Sequence, residues 1–143
     1  MLNPHIDPVR RALLRALGGG VTLAATGVHA QSAPEGAAQG SVTVDVARAD
    51  VAAGRAVLID IREPQEHATG VAPGARLLPS SQLSSRWTEV PKQGKLVYLV
   101  CATQNRSRAA LRALRERGPY AHVRYVAGGM SEWSRRGLPL VKP

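Results

Sequence analysis

At 143 residues, with a formal net charge of +9 and 44% hydrophobic residues, the chain has room for one domain with a modest core. A single cysteine excludes an internal disulfide, a cysteine-based metal set and a dithiol redox cycle within one chain. With no Phe, three Tyr and two Trp, the core must come from Val, Leu, Ile and Ala, and no aromatics interleave the basic residues, which argues against nucleic acid as a partner.

The first thirty residues are set apart from fold reasoning. Residues 9–15 carry the pair Arg10-Arg11, two leucines and Arg15, an arrangement that resembles a twin-arginine export signal. The stretch 16–28 is rich in Gly and Ala and too short and weakly apolar to span a membrane. Val28 and Ala30 then stand at the −3 and −1 positions of a cleavage site before Gln31. The expectation is an export signal over residues 1–30 and a periplasmic mature protein with no stable membrane insertion. An ordinary amphipathic helix with a basic end is the alternative. Residues 31–40, Gln-Ser-Ala-Pro-Glu-Gly-Ala-Ala-Gln-Gly, read as a disordered linker. Residues 41–143 are the expected domain.

In chain order, a short strand is expected over residues 42–44 and a helix over 45–53, ended by Gly54. Residues 56–61, Ala-Val-Leu-Ile-Asp-Ile, form a continuous apolar run broken only by Asp60, as in a parallel strand buried on both faces. Residues 63–67 read as a turn into a short helix with His67 at the surface. Residues 70–75 are a Gly/Pro turn, 76–78 a brief strand and 80–87 a helix. The apolar run 95–100 is a second buried strand, 107–117 a helix stopped by Gly118-Pro119, and 123–126 the last strand. Gly128-Gly129 turns into a final helix that packs Trp133. Alternating strands and helices imply an α/β domain with a parallel sheet, its site at the carboxyl ends of the strands, where Asp60 and Cys101 both fall.

Cys101 opens the run Cys101-Ala102-Thr103-Gln104-Asn105-Arg106-Ser107 between a strand and a helix. Its bland reading is an inert, buried small hydrophobe. Its functional reading is a nucleophile: the loop can aim several N–H groups inward, the helix start adds positive potential, and Arg106 and Arg108 stand close by, all of which suit an anionic sulfur. From Arg106 to the end there are nine Lys/Arg and two Glu, so the basic excess lies from this loop onward. It reads as a solvated helix face, as attraction for small anions, or as a patch for an acidic partner. No metal ligand set is visible among a lone Cys and scattered His, and no cofactor is expected. Gly128-Gly129 lacks the Lys-Ser/Thr of a phosphate loop; close backbone approach to the Cys101 loop explains the glycines better.

Four stretches in order, 58–67 (Leu-Ile-Asp-Ile-Arg-Glu-Pro-Gln-Glu-His), 70–75 (Gly-Val-Ala-Pro-Gly-Ala), 100–107 around Cys101, and 126–139 with Gly128-Gly129, Trp133 and Gly137-Leu138-Pro139, resemble the rhodanese-like (sulfurtransferase) family. The resemblance implies a small parallel sheet flanked by helices, with the active loop at the carboxyl end of a central strand. It implies transfer of sulfane sulfur from a small anionic donor such as thiosulfate to a thiophilic acceptor, cyanide or a thiol, through a persulfide on Cys101. Residues Ala102, Thr103, Gln104, Asn105, Arg106 and Ser107 would cradle the sulfur, with Arg106 holding either an anionic donor or the loop itself. Asp60 would support the neighbouring turn, and Arg62 would pair with Glu66 or reach the mouth. The chain departs from the family's common Cys-Arg-x-Gly-x-Arg-Ser at Ala102 and Gln104: a contact for thiosulfate's charge is lost, and Gln104 would restrict the loop if its position needs positive φ. A rival phosphatase reading requires five residues between Cys and Arg, and four lie between Cys101 and Arg106. A non-catalytic sulfur carrier or binding module is the other alternative.

Overall fold

A computed structural model describes residues 40–143; the expected export signal and all but the last residue of the expected linker lie outside the described residues. Five strands, β1 (Ser41–Val42), β2 (Ala56–Asp60), β3 (Arg76–Leu77), β4 (Leu96–Val100) and β5 (Val123–Val126), form one sheet in the order β1-β5-β4-β2-β3. Every pairing between them is parallel. The apolar runs become β2 and β4, joined in register from Ala56↔Leu96 to Asp60↔Val100, because strands buried on both faces need apolar side chains at every position.

Side chains alternate across the sheet as the pleat requires. Val97, Leu99 and Cys101 enter one core cluster with Leu111 and Leu114. Tyr98 and Val100 enter the other with Val44, Ala47, Met130 and Trp133. Thus α3 (Ser80–Arg86) and α4 (Asn105–Arg117) cover one face, and α1 (Val44–Ala52) and α5 (Gly129–Arg135) the other. A four-residue helix, α2 (Pro64–His67), lies between β2 and β3, and a 3-10 turn, Trp87–Glu89, follows α3. No helix among the described residues is long and apolar enough to cross a membrane.

Two boundaries differ from expectation, the first because a side chain redirects the backbone. The strand expected over 42–44 ends at Val42, because the Thr43 hydroxyl accepts a hydrogen bond from the Val46 N–H at 3.3 Å and caps α1 instead. Helix α4 begins at Asn105, two residues before the expected start.

The topology also fixes where a site can form. The chain leaving β2 goes to β3 on one side, and the chain leaving β4 goes to β5 on the other. Adjacent strands whose exits diverge leave a crevice beyond their carboxyl ends. Cys101 and the turn after Asp60 occupy that crevice.

Candidate active site

Cys101 immediately follows β4, and its Sγ lies 3.4 Å from the Ser107 Oγ, which can accept the thiol proton or donate to a thiolate. The cysteine is 1% exposed. The loop around it is held by its carbonyls. The Cys101 and Ala102 carbonyls accept from the Met130 and Ser131 N–H groups at the start of α5, each at 2.8 Å. The Gln104 carbonyl accepts from the Arg108 N–H at 2.8 Å and from the Ser107 hydroxyl at 3.2 Å. While the Cys101, Ala102 and Gln104 carbonyls are engaged, the N–H groups of residues 102–107 donate to no acceptor among the described residues. A run of free N–H groups at a helix start is a concave anion cradle.

Gly129 permits this arrangement. A Cβ built there would lie 2.1 Å from the Thr103 carbonyl oxygen and 2.3 Å from that of Cys101, with φ at +57°, so only glycine lets the turn approach the loop. The Gln104 side-chain oxygen adds a second tie, accepting from the Gly128 N–H at 3.1 Å. Gln104 itself has φ −164°, extended backbone open to any residue, so glutamine at this position does not restrict the loop.

Arg106 is fixed from across the crevice. Its two terminal nitrogens donate to the Glu66 carboxylate at 2.7 and 2.6 Å, and Glu66 Oε2 also accepts from the Glu63 N–H. Arg106 therefore ties the loop to α2 through a carboxylate. This pairing was not legible locally, since it joins side chains forty positions apart; its signal was an acid at the third position of a short Pro-initiated helix.

The Arg106 guanidinium pulls the Glu66 carboxyl down from 4.5 to about 2. A folded-state value below the unfolded one means that the stabilisation is complete above pH 4.5 and is lost as pH falls from about 4.5 to about 2. Both side chains are about a third exposed, so solvent screening limits the effect to about 1 kcal/mol or less. In thermal melts over this range, wild type should lose more stability than Glu66→Gln; identical acid profiles would show that the pair contributes nothing.

Asp60, fully buried at the end of β2, accepts from the Arg62 backbone N–H at 3.0 Å and from its guanidinium at 2.7–3.0 Å. Arg62, also buried, donates onward to the carbonyls of Glu66 at 3.2 Å and Gly70 at 2.8 Å. Asp60 and Arg62 therefore clamp the 63–70 turn that carries Glu66. Arg62 meets Glu66 through its carbonyl, while the Glu66 carboxylate goes to Arg106. His67, expected at the surface, is 4% exposed, with Nε2 3.5 Å from Asp60 Oδ1. The Arg62 contacts wrap α2 over the end of β2 and turn its last residue inward. Of the loop residues, Thr103 and Asn105 are exposed, Ala102, Gln104 and Arg106 half-buried, and Ser107 buried. Trp133 packs in the core and donates to the Pro139 carbonyl at 2.9 Å.

The chain is similar to a protein called a sulfurtransferase from Allochromatium vinosum, 39% identical over 87 residues that cover 61% of this chain and 79% of the relative. Among solved structures, a rhodanese-related protein from Thermoplasma volcanium superposes with a TM-score of 0.64 at 26% identity, covering 72% of this chain and 98% of that one. A human single-domain sulfurtransferase gives a TM-score of 0.57 at 28% identity, covering 68% and 96%. The family described as Rhodanese-like domain matches residues 43–136, a span that takes in β2, β4, the Cys101 loop and the Gly128-Gly129 turn, and the chain belongs to that family.

Proposed function

We propose that the protein is a sulfurtransferase that carries sulfane sulfur as a persulfide on Cys101. The observation that supports this most is the sulfur of Cys101 at the base of a loop whose Cys101, Ala102 and Gln104 carbonyls are hydrogen-bonded and whose N–H groups at 102–107 have no acceptor among the described residues. A terminal persulfide sulfur is a soft anion, and such dipoles stabilise it without a general base. The Cys101 thiolate attacks the outer sulfur of thiosulfate, the S–S bond of the donor breaks, and sulfite leaves with the electron pair. Cyanide or a thiolate then attacks the outer sulfur of the persulfide, giving thiocyanate or a new persulfide and restoring the Cys101 thiolate. No cofactor enters either step.

Burial of Cys101 limits attack to donors that present a terminal sulfur. The engagement of both terminal Arg106 nitrogens by Glu66 disfavours phosphoryl chemistry, where the cation must face a tetrahedral oxyanion. The twin-arginine-like pattern at residues 1–30 supports reading the protein as periplasmic, with a small anionic donor and a thiophilic acceptor as partners.

Thiocyanate formation from thiosulfate and cyanide by the full chain tests the reading. Repeated turnover supports an enzyme, and a single sulfur taken up with no multiple turnover would make the domain a carrier. Ala102→Arg should raise kcat/KM for thiosulfate: a guanidinium about 5 Å from a dianion in water-like surroundings contributes roughly 1.5 kcal/mol, about tenfold. An unchanged kcat/KM would show that the charge lost at Ala102 does not limit thiosulfate use.

A further inference from the structure

Six arginines of the domain, Arg55, Arg62, Arg86, Arg106, Arg135 and Arg136, each pair with a carboxylate. Arg108, Arg112, Arg115 and Arg117 on α4, like Arg48, Arg76 and Arg124 elsewhere, have no such partner among the described residues, and Arg108, Arg112 and Arg115 are exposed. Their spacing, i, i+4 and i+7, sets them in one stripe along the helix. The stripe begins at the residue after Ser107, whose hydroxyl touches Cys101 Sγ. On another side of the helix, between α3 and α4, runs a groove of about 320 Å³ lined in part by Trp87, Ala109, Ala113 and Arg106, and by none of these three arginines. The groove thus reaches the loop at Arg106.

Three aligned, unneutralised guanidinium groups create a positive field that attracts and orients a polyanion. The large apolar side chains exposed in the described domain are Val46, Leu96, Leu140 and Val141, none of them on α4, so this face offers nothing to insert into a lipid surface. The helix carries no aromatic residue for stacking bases. Trp87 is already engaged edge-on with Tyr120 and lies beneath the Lys92 ammonium. A charged stripe with neither large exposed apolar nor aromatic side chains suits an acidic polypeptide, its carboxylates on the stripe.

We propose that this face of α4 docks an acidic protein that presents a thiol to Cys101. The proposal rests on the persulfide reading above. In the transfer, the partner thiolate attacks the outer sulfur of the Cys101 persulfide. A new S–S bond forms on the partner as the Cys101 bond breaks, and Cys101 leaves as thiolate with the electron pair.

The test uses the full chain and two labelled dodecapeptides with one central cysteine, one otherwise of Asp and Glu, the other of Asn and Gln. Binding is read by fluorescence anisotropy with the peptide cysteine alkylated, and transfer by loss of the persulfide to the free peptide. The acidic peptide should bind and discharge the persulfide at least about tenfold better at low salt. That preference should vanish in Arg112→Gln/Arg115→Gln, which keeps its thiosulfate–cyanide turnover. Equal binding of the two peptides, or a preference that survives in the variant, overturns the proposal. Tighter binding to phosphatidylglycerol vesicles or a single-stranded oligonucleotide than to the acidic peptide overturns the choice of a protein. Acidic-peptide binding by a chain that takes up no sulfur would fail the persulfide reading alone, and sulfur uptake without the preference would fail the docking alone.

Discussion

Cys101→Ser should abolish sulfur transfer and leave the fold intact. The alkoxide that serine would need lies far above the accessible pH range and is a hard nucleophile, so it neither attacks nor holds a sulfane sulfur. Oxygen for sulfur at this position leaves the Ser107 hydroxyl, 3.4 Å from Sγ in the native chain, available as a hydrogen-bond partner. The stability change should stay within about 1.5 kcal/mol, the scale of one hydrogen bond. Circular dichroism and a thermal melt report the fold, and thiocyanate formation reports the chemistry. Activity retained in the serine variant would remove Cys101 from the mechanism.

Asp60→Ala is expected to be the most damaging change to stability. It strands the Arg62 guanidinium, 5% exposed, with only the Glu66 and Gly70 carbonyls for partners. Breaking a buried pair by removing one member costs about 3–5 kcal/mol, against a total of about 5–15 kcal/mol for a domain. The loss is transmitted to the site, because Arg62 holds the turn that carries Glu66, and Glu66 holds Arg106. Urea unfolding should therefore shift to a much lower midpoint, with transfer reduced in whatever remains folded. A loss below about 1 kcal/mol would mean that Asp60 and Arg62 do not act as a clamp.

The fold was legible because its signals are local. The runs at 56–61 and 95–100 became β2 and β4 since central parallel strands are apolar at every position. The order of strands and helices placed Cys101 at the carboxyl end of the sheet, and Gly128-Gly129 lies against the loop as its glycines implied. The parts that were not legible are side-chain ties across long stretches of chain. Glu66 to Arg106 spans forty positions, and Gln104 to Gly128 spans twenty-four. His67 carries a polar side chain on a four-residue helix, where no hydrophobic period can reveal which side faces inward. Thr43 illustrates the same limit at short range: a β-branched residue suits a strand, but its hydroxyl capped a helix.

The most direct test of the central claim is the intact mass of the full chain after incubation with thiosulfate, measured beside Cys101→Ser. A gain of one sulfur atom on the wild type alone, removed by cyanide, is the predicted result. No gain on a wild-type protein whose Cys101 is shown by alkylation to be accessible, or an equal gain on the serine variant, would contradict a persulfide at Cys101.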